Sequence, residues 1–437
     1  MSEATSLKKI NLFVFAAHHL SSNIAAQRFK GLLKYLDPAK YRVFVFARQP
    51  AAETTTTTAA APSDADIHIY PLPGHCVGSE SPPAASLLIL AAAFMRPLPF
   101  MLANANGRAA SADTRPWLVH ALAEADRLCS EKLAAGESCV AIGTYSPVDA
   151  LIAAASLASK YRIGCLQDFR DGLVFEPLGK RGWLREWMRK LIERRVVATA
   201  NLITSVSHPL VHDFQQRYPY KVTAMLPNGY DPTDFASLGK DAADDTRAAA
   251  ILARHVPAGA LLIGHFGRIG ASDGSASKSL DYLVDTLNES AEVAADKHVM
   301  FVGELTKSEL ASLERARFSF SVLGQLERTL ALRLMKRCDK LLLLTGSRAS
   351  CATGKLFEYL ATGADIVCIS GVRNEATAIL AETGAGQTLL TGQGVSGGDA
   401  LRKALSPSTD AHRDIAAYSK VVQAEKLGQW ISKMVQT

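Results

Sequence analysis

Residues 347–380 read SRASCATGKLFEYLATGADIVCISGVRNEATAIL, and this stretch decides the architecture. It follows an apolar run, Lys340 to Leu344, with the length and composition of a buried strand. A loop of small residues, Ser350-Cys351-Ala352-Thr353-Gly354, then opens a helical-period segment from Lys355 to Ala361, and a second β-branched run, Ile366 to Ile369, comes after it. Strand, glycine loop, helix and strand in that order form one unit of a parallel sheet. The small side chains let a ligand approach the backbone, while the helix start offers unpaired N–H groups and a partial positive charge. Together these suit a diphosphate. Glu358, one turn into the helix, is placed to accept both hydroxyl hydrogens of a ribose. The plainer alternative is a solvated helix acid beside an ordinary loop glycine.

The same rhythm runs through the rest of the chain. Strands are predicted over Ile10 to Ala16, Tyr41 to Ala47, Ile67 to Tyr70, Val140 to Gly143, Ile163 to Leu166 and Leu202 to Ser205. Helical periods fill Ile24 to Leu36, Trp117 to Ala134 and Val148 to Lys160. The threonine- and alanine-rich tract Gln49 to Asp66 has no period and reads as a mobile surface loop. After Pro227-Asn228-Gly229-Tyr230-Asp231 a second series begins, with strands at Leu261 to Phe266, Val299 to Val302, Phe318 to Val322, Lys340 to Leu344 and Ile366 to Ile369. The expectation is an α/β protein of two facing Rossmann-like domains, 1–226 and 227–410, with a ligand cleft at their strand ends. A last helix, 411–437, is expected to pack back on the first domain.

Composition sets limits. With 437 residues, 48% hydrophobic and 21% charged, the chain has enough apolar material for two cores. A net charge of +6 is too mild at this length to argue for nucleic acid. The seven cysteines are scattered without a C-x-x-C pair, which suits reduced thiols rather than disulfides or zinc. No signal-peptide profile opens the chain, and the apolar stretch Ala84 to Phe100 is broken by Arg96, Pro97 and Pro99. A soluble or peripherally bound cytoplasmic protein is expected.

Four further segments carry candidate chemistry. His265-Phe266-Gly267-Arg268 places a glycine turn at a strand end, and Lys278 opens the next helix, so Arg268 and Lys278 are both available to a diphosphate; ordinary surface charges are the alternative. Asp168, Arg170 and Asp171 follow the strand Ile163 to Leu166, where charges face a cleft mouth or cap the next helix. Residues 180–195, KRGWLREWMRKLIERR, hold seven basic and two acidic residues interleaved with Trp183, Leu184, Trp187, Met188, Leu191 and Ile192. That pattern fits either an interfacial membrane helix or a core-packed helix with a basic face. His18, His19 and Ser22 follow the first strand, where an acceptor is expected; no set of metal ligands accompanies them.

Taken in order, Thr144-Tyr145-Ser146-Pro147, Asp168-Phe169-Arg170-Asp171, Thr204-Ser205-Val206-Ser207, Pro227-Asn228-Gly229-Tyr230-Asp231, Phe266-Gly267-Arg268 and Lys355-Leu356-Phe357-Glu358-Tyr359-Leu360-Ala361 resemble the retaining, GT-B-fold glycosyltransferases (glycosyl transferases group 1, family four). The resemblance covers roughly Asn11 to Trp430. It implies transfer of a sugar from a nucleoside diphosphate sugar to an acceptor hydroxyl, with retention. Glu358 would bind the ribose and Arg268 with Lys278 the diphosphate. Gly267, Ser350, Thr353, Gly354 and Lys355 would complete the donor site, and Asp168, Arg170 and Asp171 would face the acceptor or the sugar. Many members carry a second glutamate where this chain has Ser350. The expected cofactors are none and the expected metal is none. The partners are the nucleotide sugar, a glycan, lipid-linked or other hydroxyl acceptor, and an anionic membrane surface, with no nucleic acid. A sugar-nucleotide epimerase and a non-catalytic partner subunit are the alternatives.

Overall fold

The computed structural model describes residues 8–21, 24–50, 65–76, 116–176, 183–238, 242–270, 274–392, 397–406 and 413–436. Ser22, the threonine-rich residues 51–64, the apolar stretch 84–102 and residues 180–182 lie outside the described residues. The chain forms two compact units, 1–227 with 420–437, and 228–419.

The first unit contains β1 (Ile10–Phe15), α1 (Ile24–Lys34), β2 (Tyr41–Arg48), β3 (Ile67–Leu72), α2 (Trp117–Ala134), β4 (Cys139–Tyr145), α3 (Val148–Tyr161), β5 (Gly164–Phe169), α4 (Trp183–Thr199), β6 (Leu202–Ser205), α5 (His208–Arg217) and β7 (Val222–Met225). Its parallel sheet has the order β3-β2-β1-β4-β5-β6-β7. The strand order reverses between β1 and β4, a topological switch point. Because side chains alternate across a strand, Phe13 and Phe15 enter one core with Trp117 and Leu151, while Leu12 and Val14 enter another with Phe29 and Leu32. Burial on both faces is why these strands read as unbroken apolar runs.

The second unit contains α6 (Pro232–Ala236), α7 (Ala242–His255), β8 (Leu261–Phe266), α8 (Ser277–Glu289), α9 (Ala291–Ala294), β9 (Lys297–Val302), α10 (Lys307–Glu314), β10 (Ser319–Val322), α11 (Arg328–Met335), β11 (Lys340–Thr345), α12 (Gly354–Thr362), β12 (Asp365–Ser370), α13 (Glu375–Thr383), β13 (Gly386–Leu390) and α14 (Gly397–Leu405). The sheet order β10-β9-β8-β11-β12-β13 puts its switch point between β8 and β11. That ladder pairs only Ile263 with Lys340 and Gly264 with Leu341, so the two strands part toward their carboxyl ends.

The last helix, α15 (Lys420–Gln436), belongs to the first unit. The Tyr41 hydroxyl donates to the Gly428 carbonyl at 2.7 Å, and Leu427 and Ile431 join the core around Leu12 and Phe29. It starts later than the sequence predicts. Tyr230 N–H donates to the Tyr418 carbonyl at 3.0 Å, which ties Tyr418 to the second unit and moves the boundary from 410 to 419. Two strands, β7 and β13, escape the sequence reading because they are short, half-exposed edges without a continuous apolar run.

In α4 the apolar residues divide between two faces. Met188, Ile192 and Val196 are buried, whereas Trp183, Trp187 and Leu191, four residues apart, are 79%, 56% and 36% exposed.

Candidate functional site

The second unit builds its site where β8 and β11 part. Gly267, just past β8, has φ +84°, and Gly303, just past β9, has φ +138°. A Cβ on Gly303 would stand 2.9 Å from the Gly267 Cα, so the two turns meet backbone to backbone. Gly267 N–H donates to the Val302 carbonyl at 2.6 Å and Gly303 N–H to the Gly324 carbonyl at 2.7 Å, which locks three strand ends together. His265 fills the splay, its Nδ1 3.0 Å from the Leu342 carbonyl. Burial, and then the charge of Lys355, hold this imidazole well below its ordinary pKa.

After β11 the loop is fixed by Glu375 N–H on the Ala349 carbonyl and Ala376 N–H on the Cys351 carbonyl, both 2.9 Å. Thr353 is the N-cap of α12 but makes no side-chain cap, and its Oγ1 is enclosed without a hydrogen bond among the described residues. The first N–H groups of α12 thus lack the usual side-chain acceptor. Gly354 opens the helix. Lys355 follows, and its Nζ donates to the Arg268 carbonyl at 2.7 Å and lies 3.4 Å from His265 Nε2. Burial pulls this ammonium down to about 8. Gly267, Arg268, Lys355 and the α12 start are therefore brought together.

The other donor-side residues are placed less simply. Arg268 is exposed and paired with Glu304, Nε to Oε2 at 3.1 Å. Lys278 is exposed in the first turn of α8. Glu358 is not a solvated acid: Arg328 holds its Oε1 and also reaches Asp234 at 2.7 Å. Ser350 is buried, with Arg348 Nη2 3.5 Å from its hydroxyl. The sequence reading missed Arg328 and Glu304. A signal for Arg328 exists, because a cation at a helix start opposes the helix dipole and asks for an acidic partner.

In the first unit the largest correction is Asp168. It does not face a cleft mouth but is fully buried in the sheet. The register aligns Thr144, Asp168 and Thr204 side by side across β4, β5 and β6. Both threonine hydroxyls donate to the carboxylate, at 3.0 and 2.9 Å. Arg28 of α1 completes it from Nε at 3.2 Å and Nη2 at 2.8 Å. The same guanidinium donates to the Leu226 and Pro227 carbonyls at 2.7 and 2.8 Å. Four hydrogen bonds leave this carboxylate no role as an acceptor-side base. Arg28 lay unmarked within an amphipathic helix.

Arg170 lies at the carboxyl end of β5, where Nε donates to the Tyr145 carbonyl at 2.7 Å and Nη2 to that of Ser146 at 3.4 Å. Burial lowers its basicity. Asp171, next along, is partly exposed. Arg170 lines a small open pocket at the β1/β4 switch point with His18, His19, Thr144 and Ser146. His19 is buried, and burial followed by the charge of Lys30 brings it down to about 4.

Among the described residues no group of three or more His, Cys, Asp and Glu side chains is arranged to hold a metal, and no helix is long and apolar enough to cross a membrane.

No family model matches this chain, and no curated protein sequence matches it. Solved structures do. A sucrose-phosphate synthase from Thermosynechococcus elongatus is similar with a TM-score of 0.58 and 13% identity, over 98% of this chain and 99% of that one. A glycosyltransferase from Rickettsia africae ESF-5 gives 0.59 and 10%, over 99% and 100%. A UDP-GlcNAc 2-epimerase from Methanocaldococcus jannaschii gives 0.52 and 11%, over 97% and 99%. At these identities the likeness is one of fold, and the fold is GT-B: two parallel-sheet α/β domains. It is shared by transferases and an epimerase alike, so it does not choose between them.

Proposed function

We propose that the chain is a glycosyltransferase that moves a sugar from a nucleoside diphosphate sugar to an acceptor hydroxyl. The observation that supports it is the convergence at the β8/β11 switch point of the uncapped α12 start, the Lys355 ammonium and the Gly267–Arg268 turn, with Glu358 one turn in. Negative charge builds on the departing diphosphate as the anomeric C–O bond breaks. Lys355, Arg268, Lys278 and the α12 N–H groups offset it. The acceptor oxygen bonds to the anomeric carbon on the same face, its proton passes to a departing phosphate oxygen, and configuration is retained. This route uses no protein nucleophile and no metal. The test is a screen of sugar nucleotides against glycan and lipid-linked acceptors in the presence of EDTA. Transfer that continues supports the reading; activity lost with chelator and restored by magnesium contradicts the metal-free route.

Lys355 gives the donor site a pH signature. A diphosphate favours the charged ammonium, so nucleotide affinity is expected to be level below about 8 and to fall as pH rises above it. Lys355→Arg, which stays charged, is expected to flatten that fall in a calorimetric pH series. An unchanged fall would remove Lys355 from the site.

An epimerase is the second reading, favoured by the fold it shares with one. Turnover of the nucleotide sugar without any acceptor would select it.

The proposed place of work is the cytoplasmic face of a membrane. α4 supports this: its exposed indoles, Trp183 and Trp187, share one helix with exposed Lys190, Arg194 and Arg195. Binding to phosphatidylglycerol vesicles is expected at low salt, and about 1 kcal/mol is expected to be lost for each basic residue replaced by glutamate. No co-sedimentation of the unmodified chain at low salt would refute it.

A further inference from the structure

We propose that the pocket at the β1/β4 switch point binds an anionic phosphate group, so that the acceptor is phosphorylated or carries a phosphate-linked group. This names the acceptor's chemistry and rests on the transferase reading, although the pocket stands on its own geometry.

Arg170 reaches it from β5, His18 and His19 from the turn after β1, and Thr144 and Ser146 from the end of β4, around the small side chains of Ala16, Ala17 and Ala26. The pocket is small and open to solvent, so a phosphate group is met at its mouth. Arg170 has five N–H donors, and its hydrogen bonds among the described residues use Nε and Nη2 on neutral carbonyls. Asp168, the nearest buried acid in the register, is consumed by Arg28, Thr144 and Thr204. Asp171 remains beside Arg170 at the strand end and partly offsets its charge.

The second observation is His19. Its side chain is almost wholly buried on the pocket wall, and its Nδ1 has no hydrogen bond among the described residues. A buried ring nitrogen without a partner is costly unless a ligand supplies one. Lys30 adds a positive charge nearby, and Ala26 brings the first turn of α1, the positive end of its dipole, to the same wall. A guanidinium on one side, an imidazole on another and the Ser146 hydroxyl between them match the tetrahedral oxygens of a phosphate.

The test is a titration of the full chain, with its histidine rings labelled with nitrogen-15, against inorganic phosphate. The His19 signal is identified by its loss in His19→Gln. A saturable shift of that signal at millimolar phosphate is expected, abolished in Arg170→Gln and partly retained in Arg170→Lys, with thermal midpoints measured for both. Glucose 6-phosphate and monomeric dihexanoyl phosphatidylglycerol, as separate arms, tell a soluble sugar phosphate from a lipid headgroup. No saturable His19 shift with any of the three probes in the unmodified chain overturns the proposal, and so does a shift that survives in folded Arg170→Gln. Because no nucleotide is present, failure here leaves the donor reading intact. A donor site that fails to bind nucleotide leaves this result untouched.

Discussion

Asp168→Ala is expected to destabilise the first unit by about 3–5 kcal/mol, the cost of leaving a buried guanidinium without its anion. Arg28 would lose both of its bonds to Asp168, and the Thr144 and Thr204 hydroxyls would lose their acceptor. The damage is not confined to the sheet. Arg28 also holds the Leu226 and Pro227 carbonyls, the last residues of the first unit before the chain enters the second. Urea unfolding followed by tryptophan fluorescence measures the change. The double variant Arg28→Met/Asp168→Ala is expected to be less destabilised than Asp168→Ala alone, because both charges leave together. An Asp168→Ala protein within about 1 kcal/mol of the unmodified chain would mean that the pair is already solvated, contrary to its burial.

Glu358→Ala is expected to weaken nucleotide binding by about 1.5–3 kcal/mol, the worth of a hydrogen bond to a charged group, or roughly 10- to 100-fold. Little stability should be lost with it, since the Arg328–Glu358 pair is partly exposed and Arg328 keeps Asp234. Calorimetry of the variant beside a thermal melt separates the two effects. Equal affinity in Glu358→Ala and the unmodified chain would remove Glu358 from the donor site.

These two acids show what a sequence discloses and what it hides. Both follow or precede a readable strand in a readable unit, and the two sheets were legible because strands buried on both faces leave continuous apolar runs such as Leu341 to Leu344. The loop at Ser350 to Gly354 and the turn at Gly267 were legible as well, since small residues at strand ends have few other uses. The partners of the charged groups were not. Arg28 and Asp168 are 140 residues apart, and only the strand register puts Thr144 and Thr204 on either side of that carboxylate. Glu358 on α12 with Arg328 at the start of α11, and Arg268 with Glu304 across the ends of β8 and β9, are likewise pairings between elements distant in sequence. On α4 the sequence disclosed an apolar helix with a basic face, but the choice of Met188 and Ile192 for the core, leaving Trp183 and Trp187 outside, is made by packing.

The central claim is that the second unit carries a nucleoside diphosphate site at the β8/β11 switch point. Calorimetric titration of the chain with UDP, GDP and dTDP, without metal, tests it most directly. The account predicts saturable one-to-one binding of at least one of them, weakened in both Glu358→Ala and Lys355→Met. No binding of any of the three, or binding that both variants leave unchanged, would contradict it.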